Sequence, residues 1–190
     1  MVRFKNKTYE IVAVGIMAAM VFVTTFFLKI EIPTPAGPTM LKVGNIMCLL
    51  AGILFGGLYG GLAAGIGSFF FDLTNPAFVS GAPMTLLFFF VMGFVCGKIA
   101  HARKQYGQNT TQNVLAAVCG AGSYFILYIS KSIITLVLAG SALMPAIISC
   151  STKMVTSGLN AVIAVVCSVL IAKPLHKALI RAGIYQKFVD

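Results

Sequence analysis

Acidic residues are the scarcest charged group in this sequence. The chain has only four Asp and Glu residues against fourteen Lys and Arg residues, and 9% of its 190 residues are charged. A soluble domain carries about 25% charged residues. The low charge and the 59% share of hydrophobic residues together predict an integral membrane protein, with residues 1–190 forming one membrane domain.

Several other absences exclude classes of chemistry. The sequence has no CxxC pair and no GxxxxGK[ST] phosphate loop. His101 and His176 flank the apolar segments, and Asp72 is the only acid expected within the membrane region, so nucleophilic, paired-carboxylate and metal sites lack their partners. We therefore expect a protein that is not an enzyme and holds no cofactor or metal. ATP-driven transport would need another subunit to bind the nucleotide.

Long apolar runs dominate the sequence. They lack the period-2 alternation of a barrel, so they predict helices. We expect an all-α membrane protein with six transmembrane helices at residues 9–28, 43–55, 58–73, 84–100, 114–139 and 146–171. The second and third fall short of the roughly 20 residues that span a bilayer, so we expect them to be tilted or partly re-entrant.

The basic residues predict the orientation of these helices. They precede the first segment, follow the fourth and follow the sixth, which places them on one side of a six-helix bundle: Arg3, Lys5, Lys7, Lys98, Arg103, Lys104, Lys173, Lys177, Arg181 and Lys187. Basic residues favour the cytoplasmic side. Both termini are therefore predicted to be cytoplasmic. The scattered +10 net charge forms no single patch and does not favour nucleic acid.

Two lysines lie inside the last two apolar segments. Lys131 and Lys153 flank the turn at residues 140–145, and a rise of about 1.5 Å per residue places both roughly 12–14 Å deep from the same, outer side. A lysine at mid-bilayer costs about 2.5–3.5 kcal/mol on insertion scales, so two such lysines indicate a functional or structural role that offsets this cost. The first interpretation is an anion-binding site between them. The alternative is structural: Lys131 reaches the outer interface and Lys153 pairs with Asp72.

Polar residues around the two lysines repeat with helical spacing. Each set shares one helix face, and the two faces together predict an outward-facing cavity. The first set is Tyr124, Tyr128, Lys131 and Thr135; the second is Ser149, Lys153, Thr156, Ser157 and Asn160. The tyrosines are suited to stacking on a flat ring.

Small residues also recur four apart. They line one helix face and allow close approach of another helix, either within the bundle or from a partner protein. The sets are Gly15 and Ala19, then Gly57, Gly61 and Gly65, then Gly93 and Gly97.

The stretch IEIPTPAGPTMLKVGNIMCLLAGILFGGLYGGLAAGIGSFFFDL resembles the substrate-binding (S) components of energy-coupling-factor (ECF) vitamin transporters, particularly the riboflavin-transporter-like group. The likeness covers most of the chain: a proline-rich first outer loop precedes small-residue-rich helices and an aspartate. It implies a multi-pass protein of a bacterial plasma membrane that binds a vitamin from outside. Delivery would occur by toppling against a transmembrane coupling subunit driven by two ATPases.

The resemblance also implies roles for particular residues. Substrate contacts would come from the outer half: Lys131, Lys153, Asp72, Asn160, Tyr128, Tyr124, Asn45 and Thr156. Relatives commonly carry an aspartate at the position of Asn45. The face with Gly15 and Ala19 would dock on the coupling subunit, where the family has an AxxxA-like pattern.

Riboflavin follows from family likeness, whereas the lysine pair indicates an acid such as pantothenate, biotin or nicotinate, or a phosphorylated vitamin. The competing functions are a membrane enzyme or assembly factor that holds an anionic lipid head group, and a stand-alone oligomeric transporter.

Overall fold

The computed structural model describes residues 7–34, 36–102 and 107–181. These residues form seven α-helices, one two-stranded hairpin and a 3₁₀ turn at Val79–Gly81. In chain order the elements are α1 Lys7–Phe27, β1 Lys29–Ile32, β2 Thr39–Lys42, α2 Gly44–Phe55, α3 Gly57–Thr74, α4 Ala82–Ala100, α5 Thr110–Leu138, α6 Leu143–Ser149 and α7 Ser151–Arg181.

Four segments among the described residues are long and apolar enough to cross a membrane: Thr8–Phe27, Val79–Ala100, Thr110–Leu138 and Ser151–Arg181. Helix α2 has only 12 residues, which corresponds to about 18 Å at 1.5 Å per residue. The described residues thus contain four candidate membrane spans, and the count of six spans stays a prediction.

The predicted sixth segment is wrong at its start. The chain turns at Cys150 between the short helix α6 and the long helix α7. Helix α7 then continues to Arg181, ten residues beyond the predicted end at 171, with Pro174 inside it. Apolar content alone could not locate this break, because apolar residues recur on both sides of Cys150.

The proline-rich connection at residues 29–42 forms a β-hairpin. Strands β1 and β2 pair antiparallel, with Lys29 opposite Lys42 and Ile32 opposite Thr39. Thr39 and Met40 are buried, so β2 enters the helical bundle instead of covering it from outside. This small sheet is an addition to the expected all-α fold.

Contacts between distant segments define the two ends of the bundle. The Tyr59 hydroxyl, at the start of α3, donates to Glu10 in α1 (2.7 Å), and a ring nitrogen of His101, after α4, lies 2.8 Å from the Ile53 carbonyl in α2. His176 in α7 interacts electrostatically with His101. We call this end the basal end and the end with the hairpin the apical end. The described chain begins and ends basally, and its orientation in the membrane stays a prediction.

Glycines hold α3 and α4 in close contact. A Cβ atom added to Gly93 would lie 2.6 Å from the Gly60 carbonyl oxygen, and one added to Gly61 would lie 2.8 Å from the Phe90 carbonyl oxygen. These small residues therefore serve internal packing. Gly15 differs, because it is exposed and a Cβ added there would meet no atom within 4 Å.

Candidate functional site

A cavity of about 190 Å³ lies at the apical end. We call it the apical cavity. The hairpin, the end of α3, the α3–α4 connection, α4, α5 and α7 line it. Six of the eight residues predicted as substrate contacts line it: Asp72, Tyr124, Tyr128, Lys131, Lys153 and Asn160.

The other two predicted contacts lie outside this lining. Asn45 is 2% exposed and belongs to the first turn of α2. The Thr156 hydroxyl donates to the carbonyl of Thr152 in its own helix (2.9 Å), and the next residue, Ser157, lines the cavity instead. Successive side chains on a helix differ in direction by about 100°. The spacing of polar residues alone could not show whether Thr156 or Ser157 faces the cavity.

Lys153 anchors the hairpin connection. Its ammonium donates to the Ala36 carbonyl at 2.6 Å and lies 5.8 Å from the centre of the Tyr128 ring. The residue is only 7% exposed. Hydrogen bonds to a charged group contribute about 1.5–3 kcal/mol, so this contact fixes the tip of the hairpin over the cavity.

The side-chain amide of Asn160 binds the backbone of β2 through both its nitrogen and its oxygen. It donates to the Met40 carbonyl at 2.7 Å and accepts from the Lys42 amide at 3.0 Å. The edge of β2 that faces away from β1 is thereby satisfied by α7. In this conformation Asn160 positions the hairpin.

Lys42 is a cavity residue that the sequence analysis did not select. Its ammonium lies 4.3 Å from the centre of the Phe89 ring, and its charge interacts with that of Asp72. Asp72 also receives a hydrogen bond from Thr85 and interacts with the charge of Lys131. The structural alternative that paired Asp72 with Lys153 is therefore wrong. No periodic signal identifies Lys42, because its strand has only four residues.

Lys131 points its ammonium towards the start of α4. A Cβ added to Gly81 would lie 3.5 Å from the Lys131 nitrogen. Lys153 is close enough for the two ammonium groups to repel each other. Within the described residues, no side-chain or backbone acceptor hydrogen-bonds the Lys131 ammonium. Its charge is thus available to a ligand.

Aromatic side chains form one wall of the cavity. Phe89 and Tyr124 have ring centres 4.5 Å apart, and the rings of Tyr124 and Tyr128 stack at 5.7 Å with an angle of 10°. The Tyr128 hydroxyl donates to the Thr39 hydroxyl at 3.2 Å. Such a wall offers a flat apolar surface to a ring of the ligand.

A polar cluster at the rim connects the hairpin to the α3–α4 connection. Glu31 accepts from Lys29 and from Asn75, both at 2.6 Å. The hydrogen bond from Lys29 lowers the pKa of Glu31, against a smaller opposing effect of burial. The base of the hairpin is held here, whereas its tip depends on Lys153.

The predicted partner face lies on the outside of the bundle. Gly15 and Ala19 are exposed and line a groove between α1 and α3, together with Phe22, Gly67 and Phe70. This groove is accessible to a helix from another protein.

Comparison with known proteins finds a matching family and solved structures with a similar fold. Residues 5–180 match the family model described as "ECF-type riboflavin transporter, S component". A solved structure described as "Structure and mechanism of the S component of a bacterial ECF transporter" has a TM-score of 0.60 and 20% sequence identity, covering 92% of this chain and 99% of that one. At this identity the second match shows the fold alone. No curated protein matches the sequence.

Proposed function

From the premise that this chain belongs to the family of ECF-type riboflavin transporter S components, we propose that it captures a vitamin or related small molecule in the apical cavity for uptake across a bacterial plasma membrane. Riboflavin is the first candidate because it is the substrate named for the family. The observation that carries the proposal is the apical cavity, with its aromatic wall and its lysines on several elements.

The small volume of the cavity implies how a ligand enters. Pockets for drug-sized ligands have volumes of roughly 300–1,000 Å³, which exceeds the 190 Å³ found here. A vitamin would therefore displace the hairpin tip at Ala36–Gly37 and break the bond between Lys153 and the Ala36 carbonyl. The Lys153 ammonium then becomes available to the ligand, so binding exchanges a loop contact for a substrate contact.

Delivery to the cytoplasm requires partners. The sequence has no phosphate loop, so we propose a transmembrane coupling subunit and two ATPase subunits as the energising module. The exposed groove with Gly15 and Ala19 supports this, since small residues on a membrane-facing helix permit close packing of a partner helix.

Reconstitution tests the proposal. The chain is placed in proteoliposomes with and without a coupling subunit and two ATPases, and uptake of radiolabelled riboflavin is measured with internal or external ATP. We expect ATP-dependent uptake only with the complete module, and no ATP hydrolysis by this chain alone. ATP hydrolysis by the purified chain, or failure to form any complex with an energising module, would contradict the proposed function.

A further inference from the structure

The lysines of the apical cavity outnumber its acids. Lys42, Lys131 and Lys153 line the cavity together with one carboxylate, that of Asp72. Tyr124 and Tyr128 are the other titratable lining residues, and both are neutral in their ordinary state. Two positive charges are therefore uncompensated by the described residues of the cavity.

The three lysines have different roles in this balance. Lys42 faces Asp72 and the Phe89 ring, so its charge is already balanced within the protein. Lys153 donates to the neutral carbonyl of Ala36, which satisfies a hydrogen bond without cancelling the charge. Lys131 has no hydrogen-bond acceptor among the described residues and is repelled by Lys153.

Helix α4 adds to the positive potential near Lys131. The helix has 19 residues and no side-chain cap at its N-terminus, and Gly81, next to the Lys131 ammonium, immediately precedes it. Helix N-termini carry partial positive charge and favour anions. Asp72 acts on Lys131, but it also acts on Lys42, so one carboxylate serves two lysines and an anionic ligand would lower the remaining positive potential here.

Resting on the proposed function, we infer that the substrate is a ring compound bearing an acid group, a carboxylate or a phosphate, and that Lys131 selects it. The ring packs against the wall formed by Phe89, Tyr124 and Tyr128, and the acid lies between Lys131 and the Lys153 ammonium released by the hairpin. This assigns a specificity that the family name does not, because riboflavin itself carries no acid group.

Matched pairs of ligands isolate the acid group. Binding of riboflavin is compared with that of riboflavin 5′-phosphate, and binding of nicotinamide with that of nicotinate, by calorimetry on the full chain in nanodiscs. We expect the acid of at least one pair to bind about 30-fold more tightly than its neutral partner, or about 2 kcal/mol at about 1.4 kcal/mol per tenfold. The two pairs distinguish a phosphate from a carboxylate ligand.

Variants then assign the preference to Lys131. Lys131→Met should bring each affinity ratio to within about threefold of unity, and Lys131→Arg should keep the preference because it retains the charge. Lys98→Met is the matched control, since this exposed lysine lies at the basal end over Phe94. Circular dichroism and size-exclusion profiles show that each variant is folded before its affinity is compared.

The outcomes separate this inference from the proposed function. Equal or tighter binding of the neutral partners, an acid preference that survives Lys131→Met, or no binding of any of the four compounds at millimolar concentration overturns the inference. ATP-dependent riboflavin uptake by the complete module would leave the proposed function in place even then. Failure to assemble with an energising module removes the proposed function itself.

Discussion

The interaction between Lys42 and Asp72 gives the sharpest test of the site's electrostatics. The two charges interact inside the bundle, and among the described residues Asp72 is the carboxylate whose charge acts on Lys42. At an effective dielectric constant of about 20, unit charges about 4–8 Å apart interact by about 2–4 kcal/mol. We therefore expect this amount as the coupling free energy between the two side chains.

A double-mutant cycle measures that coupling. In the natural chain, Asp72→Asn should lower the thermal midpoint, because it leaves Lys42 without its counter-charge. In a Lys42→Met background the same Asp72→Asn change should raise the midpoint, because it removes a buried carboxylate that has lost the counter-charge of Lys42 and keeps only the weaker interaction with Lys131. For a chain of this length, about 2–4 °C corresponds to 1 kcal/mol, so the effects of Asp72→Asn in the two backgrounds should differ by about 5–15 °C.

The measurement is the midpoint of thermal aggregation in detergent, followed by size-exclusion chromatography for all four chains. Lys153→Met, with and without Asp72→Asn, is the control, because Lys153 contacts Ala36 and Tyr128 and not Asp72. The reasoning is refuted if Asp72→Asn has the same effect with Lys42 and with Met at that position. It is equally refuted if Asp72→Asn raises the midpoint in the Lys153→Met background, because that result would support the structural alternative in which Lys153 pairs with Asp72.

Three further predictions concern packing, docking and orientation. Gly15→Leu or Ala19→Leu should weaken co-purification of a coupling subunit without changing ligand affinity. Gly122→Leu is the control, because Gly122 also lies in open space, and it should change neither property. An equal loss of ligand affinity in the α1 variants would show that this face packs internally. Gly93→Ala should lower the thermal midpoint, because the added Cβ would lie 2.6 Å from the Gly60 carbonyl oxygen and overpacking costs about 1–3 kcal/mol. Gly122→Ala is the control and should leave the midpoint unchanged. An unchanged midpoint for Gly93→Ala would contradict the close packing of α3 and α4. Cysteines introduced at both chain ends, in a background without the five native cysteines, should resist membrane-impermeant maleimide in intact cells, and labelling from outside would reverse the predicted orientation.

The sequence by itself determined the class of protein and most of its helices. Apolar runs longer than a bilayer needs leave few alternatives to membrane helices, because an exposed backbone cannot be satisfied in lipid. The helical spacing of polar residues also identified the cavity wall, since Tyr124, Tyr128 and Lys131 share one face of α5 and all line the cavity. Residues 103–106, with Arg103 and Lys104, lie outside the described part of the chain, as do Arg3, Lys5 and Lys187.

Only the tertiary structure decided which charges meet. Charge pairing depends on the approach of elements far apart in the chain, and spacing within one helix carries no information about it. The hairpin illustrates this: β2 enters the bundle because Asn160, 118 residues from Lys42, binds its backbone amide. That contact places Lys42 near Asp72 and leaves Lys153 to hold Ala36. The sequence could therefore locate Lys131 and Lys153, whereas the fold alone determined that Asp72 balances neither of them fully.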